Sequence, residues 1–128
     1  MSEKFNLEII SPEKILTKNQ VLSVNIPAFE GEMTILHNHI PLITFLRPGI
    51  IKIVNSKDLE YFVEEGTVEF SNNNLIVLSS SIINVKELSK EKINQMIKEC
   101  RDQLKDVESD KSNYIMSHKL EVLSRINL

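Results

Sequence analysis

Apolar and polar positions change rhythm once along this chain, close to Leu88. Upstream of that point, short runs rich in Ile, Val and Phe recur between Pro, Gly, Asn and Asp, which is the pattern of an all-β sandwich or barrel. The runs predict strands over Phe5–Ile10, Lys14–Thr17, Val21–Pro27, Gly31–Ile35, Leu42–Leu46, Gly49–Asn55, Leu59–Glu64, Thr67–Ser71, Leu75–Leu78 and Ile82–Val85. Ser11-Pro12, Arg47-Pro48-Gly49, Ser56-Lys57-Asp58, Glu65-Gly66 and Asn72-Asn73-Asn74 supply residues that tolerate tight turns. Connections this short favour antiparallel neighbours. Nearly unbroken apolar runs at Ile50–Val54 and Leu75–Leu78 predict strands covered on both faces. Val21–Ile26 and Phe62–Phe70 alternate more cleanly and predict one wet face.

Downstream of Leu88 the period lengthens. Ile93, Met96, Ile97, Cys100, Leu104 and Val107 recur at helical spacing and form one apolar stripe. Ser89 is placed to cap that helix, with Leu88 and Ile93 as a hydrophobic staple. A polar break over Glu108–Ser112 follows, where Asp110 or Ser112 is a candidate cap for a second helix. That helix carries Tyr114, Ile115, Met116, Leu120, Val122, Leu123 and Ile126. The break is short, so the helices are expected to lie antiparallel, stripes facing each other or the sandwich. Such a hairpin is marginal alone and can dock, open or rebind. The predicted fold is mainly β with an α appendage. It comprises an N-terminal antiparallel β-sandwich of about ten strands over residues 1–87 and a C-terminal antiparallel two-helix hairpin over 88–128.

Composition narrows the function classes. A chain of 128 residues fits one compact domain with a small appendage. Its net charge of −3 leaves no footprint for a polyanion, which argues against nucleic acid as a partner. The only cysteine, Cys100, has no internal disulfide partner and fits a reducing compartment. Phe5–Ile10 already reads as a strand, so no targeting segment is expected there. The apolar runs are far too short to cross a bilayer, and membrane association is expected only through partners.

Candidate chemistry concentrates between Val24 and Thr44. His37 and His39 are two residues apart, so on a strand both imidazoles would share a face and, with Glu30 or Glu32, would offer ligands to zinc or iron. A cupin-like site needs a carboxylate soon after such a pair, and Ile40 to Leu46 contains none. The pattern fits a solvated corner or an interface loop better than a metal site. Elsewhere, Cys100 lies on an apolar helix stripe and reads as a buried structural thiol. Ser79, Ser80 and Ser81 lack a Gly-rich elbow. Glu64 and Glu65 end a strand and read as exposed charge. Gly31, Gly49 and Gly66 stand too far apart for a phosphate loop. No catalytic, cofactor or metal constellation emerges.

The same region carries a resemblance. Val24-x-Ile26-Pro27-Ala28-x-Glu30-Gly31-Glu32-x-x-Ile35-Leu36-x-x-His39-x-Pro41-Leu42-Ile43-Thr44-x-Leu46-x-Pro48-Gly49 closely resembles the epsilon subunit of the bacterial F-type ATP synthase. Phe62-Val63-x-x-Gly66-x-Val68-Glu69-Phe70-x-Asn72-Asn73-x-Leu75-x-Val77-Leu78 is similar to that family's second half, and the hairpin sits where the family has one. The resemblance implies a non-catalytic rotor subunit in the central stalk of a proton-translocating synthase, binding the gamma subunit and the c-subunit ring. It implies that Glu30, Gly31 and Glu32 face the c ring, and that His39 and Pro41 face gamma. The hairpin is implied to be regulatory, reaching the alpha and beta subunits through residues such as Lys119 and Arg125.

Two departures qualify these expectations. Some members bind ATP through Ile/Leu-Asp-x-x-Arg-Ala at the start of the second helix. Ser112-Asn113-Tyr114-Ile115-Met116-Ser117 lacks both the acid and the arginine, so weak or no ATP binding is expected. The second helix offers only His118, Lys119 and Arg125 as basic groups, which implies weak regulation of ATP hydrolysis. The implied location is peripheral, on the cytoplasmic face of the bacterial inner membrane. From the residues alone, the alternative is a stand-alone β-sandwich binding module with an oligomerising hairpin.

Overall fold

The computed structural model describes residues 3–105 and 110–126, with side chains described to 103 and again from 114. Ten strands come first: β1 (Phe5–Ile10), β2 (Ile15–Val21), β3 (Ser23–Ala28), β4 (Gly31–Leu36), β5 (Leu42–Leu46), β6 (Gly49–Val54), β7 (Leu59–Val63), β8 (Gly66–Ser71), β9 (Asn74–Leu78) and β10 (Ile83–Asn84). A 3-10 turn at Val85–Glu87 leads into α1 (Lys90–Lys105) and α2 (Asp110–Arg125). The mainly β fold with an α appendage therefore stands as predicted.

Strand pairing follows the order β10-β7-β6-β3-β5-β8-β9-β1-β2, with β4 on the other side of β3. The sheet curls into two facing layers. Between β3 and β5 the pairing narrows to Ala28 opposite Leu46, where the ladder passes from one layer to the other. At the far side, Thr17 Oγ1 and Tyr61 OH share a hydrogen bond of 2.7 Å that ties β2 to β7. Between the layers lie Leu7 and Ile9 of β1, Val24 and Ile26 of β3, Ile51 and Ile53 of β6 and Phe70 of β8, each essentially without exposed surface. Phe5 meets Phe70 edge-on, their centroids 5.7 Å apart. These are the alternate positions that a period of two sends inward.

Three expectations need correction. The strand predicted at Lys14–Thr17 runs on to Val21, because β1 pairs with all of it and Lys18, Asn19 and Gln20 stand exposed on an edge. Polar residues on an edge strand look like a loop in sequence. Neighbours are also not all antiparallel, since β1 pairs with β9 in parallel. Those strands are distant in sequence, so no short link dictates their direction. Finally, the two apolar strands are not covered evenly. Ile50 lies under the hairpin while Val54 is exposed, and Leu78 of β9 is bare as well.

The hairpin covers one outer face. Ile50, Phe62 and Ile83 fall in one row across β6, β7 and β10, and they pack with Leu88, Ile93 and Leu123. Ile93 near the start of α1 meets the same cluster as Leu123 near the end of α2, while Cys100 meets Met116, so the helices run antiparallel. Ser89 caps α1 by accepting from the Lys92 N–H at 3.1 Å, and Leu88 and Ile93 are both buried as the staple requires. Leu104 has no described side chain, while Val107, Glu108 and Ser109 lie outside the described residues. The caps sought at Asp110 and Ser112 fall outside the described side chains.

Candidate functional site

The acidic turn is built from the end of the β3–β4 hairpin. Ala28 pairs with Gly31, leaving Phe29 and Glu30 as the turn. Among described non-glycine residues, only Asn38, Asn72 and Asn73 have positive φ. Phe29 and Glu30 thus keep ordinary angles and Gly31, at φ 134°, takes the strained step. The Phe29 N–H donates to the Phe45 carbonyl at 3.0 Å, which anchors the turn to β5. Glu30 Oε2 accepts from Thr44 Oγ1 at 2.9 Å, and Thr44 is buried. Glu32 remains exposed on β4. The pair is therefore one pinned carboxylate beside one free one.

The two histidines do not converge. Asn38 between them adopts φ 64°, which breaks the strand alternation on which a shared face depends. His37 Nδ1 lies 3.0 Å from Glu3 Oε2, and its Nε2 lies 3.3 Å from Asn73 Nδ2. The Asn73 amide is oriented by its own bonds. Its Oδ1 accepts from the Asn38 N–H at 2.6 Å and its Nδ2 donates to Asn38 Oδ1 at 2.9 Å. Nδ2 therefore also donates to His37 Nε2, which leaves the His37 proton on Nδ1, aimed at Glu3. His37 joins the β4–β5 and β8–β9 turns to the start of the chain. His39 instead sets its ring edge-on to Phe70, centroids 5.9 Å apart, with Nδ1 2.7 Å from the Ile40 carbonyl. Glu30 and Glu32 sit at the opposite end of β4, and no cluster of metal-ligating side chains occurs among the described residues.

Pro41 is exposed just before β5, and beyond it lies the surface that the sequence reading missed. Ile40, Ile43, Phe45 and Leu78 are 73%, 71%, 61% and 48% exposed. Register places Phe45, Thr67, Leu78 and Ile10 in one row across β5, β8, β9 and β1. The neighbouring row is Ile43, Glu69, Ile76 and Glu8. An apolar band with carboxylates among it is thus exposed on the outer face of β5 and β9, and its row of Phe45, Thr67, Leu78 and Ile10 also borders the groove below Ile115 and Met116 of α2. The signal was present in the unbroken run Leu75–Leu78, which was read as a covered strand. Among the described residues Ile40, Ile43 and Phe45 stay more than half exposed.

The regulatory candidates lie on α2. Lys119 Nζ is 2.6 Å from Glu64 Oε1, so Glu64 is a partner of the hairpin rather than idle surface charge. Arg125 pairs with Glu121 on its own helix at 2.6 Å. Tyr114 stacks on Phe29, with centroids 6.2 Å apart, and meets His118 edge-on at 4.4 Å. Between this part of α2 and the sandwich opens a groove of about 1080 Å³, bordered by Phe45, Leu46, Pro48, Ile115 and Met116. Cys100 is buried, and its Sγ donates to the Met116 carbonyl at 3.1 Å. Burial raises the thiol's pKa, which keeps it protonated and unreactive.

Residues 4–85 match the family model described as ATP synthase, Delta/Epsilon chain, beta-sandwich domain. A protein of Pelagibacter ubique named ATP synthase epsilon chain is 48% identical over 99% of this chain and 100% of its own length. One from Rhizobium rhizogenes with the same name is 31% identical, covering 99% of this chain and 96% of the relative. Among solved structures, a chain of the Euglena gracilis mitochondrial ATP synthase (OSCP/F1/c-ring) matches with TM-score 0.75 at 18% identity, over 94% of this chain and 78% of that one. A chain of the Tetrahymena thermophila central stalk and c ring matches with TM-score 0.71 at 12% identity, over 97% and 96%. The two structures agree in fold with the layered sheet and paired helices described above.

Proposed function

Because the chain belongs to the ATP synthase epsilon family, we propose that it serves as a central-stalk rotor subunit joining gamma to the c ring in a proton-translocating synthase. It is a non-catalytic subunit, and the catalytic sites of the complex lie in other chains.

The observation that carries the rotor reading is the bare apolar face of β5 and β9. Apolar surface contributes roughly 25 cal/mol per Å² when buried, and a contiguous patch left wet on a small domain marks a contact surface. Gamma is assigned to this face, with His39 and Pro41 at its edge beside Ile40. Glu8 and Glu69 within the band call for basic groups on the partner. The c ring is assigned to the Glu30-Gly31-Glu32 turn. Pinning of Glu30 by Thr44 lowers the entropy lost on docking, and the exposed Glu32 is free to meet a basic loop.

Residues 1–87 then form the assembly unit and 88–128 the regulatory one. Lys119 and Arg125 are the hairpin's candidates for the alpha and beta subunits, and in the docked arrangement both are already engaged within the chain. Regulation of hydrolysis is accordingly weak. ATP is not a ligand in this reading, since the stretch Ser112–Ser117 offers neither acid nor arginine. The subunit sits peripherally on the cytoplasmic face of the bacterial inner membrane and is held there by its partners. No helix among the described residues is long and apolar enough to cross a membrane.

Co-purification with the organism's own gamma and c subunits tests the assignment. The full chain should be retained, and the double variant Ile43→Asp/Phe45→Asp should bind gamma at least about 100-fold more weakly, as expected for central interface anchors. Failure of the unaltered chain to bind gamma would sink the rotor reading. Unchanged binding of the double variant would move gamma to another face.

A further inference from the structure

Besides the stacking of Tyr114 on Phe29, two contacts among the described residues join the hairpin to the sandwich. One is the apolar cluster of Phe62, Leu88, Ile93 and Leu123, which is non-directional. The other is an ion pair, Lys119 to Glu64, and the turn that carries Glu64 is fixed within the sandwich. Glu64 stands at the β7–β8 turn, where the Glu64 and Glu65 N–H groups both donate to Ser81 Oγ at 3.2 Å. Ser79 Oγ donates to the Glu65 carbonyl at 2.5 Å. A Cβ on Gly66 would fall 2.6 Å from the Leu78 carbonyl, so only glycine lets this turn lie so close to β9. The backbone that carries the carboxylate is thus fixed by contacts within the sandwich.

Lys119 is placed very differently from an ordinary surface lysine. Its side chain is only 11% exposed, against 35% for Glu64. An ammonium group shielded to that extent requires a partner, because the water it has lost must be replaced. Arg125, whose side chain is 77% exposed, carries no such demand. We propose that Lys119 and Glu64, seated by Ser79 and Ser81, form a latch that sets whether the C-terminal hairpin stays docked on the sandwich. Unlike the apolar cluster, the latch fixes one register of α2 and opens when either charge is withdrawn. The latch rests on contacts within this chain and stands whichever subunit receives the freed hairpin.

Cys100 gives a direct readout, since it is the only cysteine and is buried where α1 meets α2. The rate of its labelling by an aromatic disulfide reagent, corrected from its pH dependence for the thiolate fraction because either charge also acts on the thiol, is measured on the full chain and on Glu64→Gln, Lys119→Met and the swap Glu64→Lys/Lys119→Glu. Each single variant is expected to label at least about 10-fold faster, and the swap to return to within about threefold of the unaltered chain. Hydrogen exchange of β1, β6 and β9 is followed in parallel and should keep its protection. Unchanged labelling in both single variants overturns the latch, as does a swap that labels as fast as they do. Loss of protection throughout the sandwich overturns it too, because the pair would then support the whole fold rather than the docking of the hairpin.

Discussion

At the scale of single residues, Gly31 carries the largest backbone demand. Its φ of 134° suits no L side chain, although nothing lies within 4 Å of where a Cβ would sit. Gly31→Ala should therefore destabilise the isolated chain by about 1–3 kcal/mol through backbone strain rather than collision. A denaturant midpoint lowered at unchanged m-value checks this. Glycine between two carboxylates was legible in the sequence as a turn, whereas the fate of the histidines was not. Spacing alone put His37 and His39 on one face, and a left-handed Asn38 undid that assumption. Cys100 was legible as structural, and its surroundings add a pH dependence. Burial is the main cause of the raised pKa; Glu64 adds to the rise and Lys119 opposes it. A thiol raised on folding contributes stability that is full below its unfolded pKa, about 8.5, and is lost as the pH climbs through the folded value. Melting temperature should accordingly fall more steeply above about pH 8.5 in the unaltered chain than in Cys100→Ala.

Among elements, the period of apolar residues revealed most strands and both helices, because each buries one defined face. It misjudged β2 because Lys18, Asn19 and Gln20 belong to an edge strand, where polar side chains are tolerated on either face. It misread β9 for the opposite reason. An apolar outer face means that something covers it, but the sequence does not say whether the cover is the chain itself. For β6 the cover at Ile50 is the hairpin; Leu78, at the border of the groove below α2, stays 48% exposed. The hairpin's own anchor is Leu123, fully buried against Phe62. Leu123→Ala should weaken docking by about 2–5 kcal/mol. Because the hairpin buries little else, that loss should appear as faster amide exchange in α1 and α2, with the protection of β1, β3 and β9 unchanged. A uniform loss of protection would mean that hairpin and sandwich unfold as one unit.

For the whole molecule, the two outer faces of the sheet define how separable the parts are. One face, on β5 and β9, is largely exposed among the described residues and assigned to gamma, although α2 borders its edge at Phe45 and Leu78; the other, formed by Ile50, Phe62 and Ile83, is sealed by α1 and α2. The family match ends at residue 85, where the 3-10 turn that leads into the helices begins. Removing residues 88–128 spares the core between the layers, so the remaining sandwich should fold and still bind gamma. It also uncovers Phe62, which has no exposed surface in the full chain. A second apolar face of this kind promotes self-association. The truncated chain should therefore sediment as dimers or larger species when alone and return to a one-to-one complex when gamma is added. Replacing Ile50 and Phe62 by Thr in the truncated chain should restore the monomer and leave gamma binding intact, because those side chains lie on the hairpin's face. If the truncated chain lost gamma binding while remaining folded, the partner would have to contact the hairpin or the face beneath it. The assignment of separate faces to gamma and to the hairpin would then be wrong, even with the family unchanged.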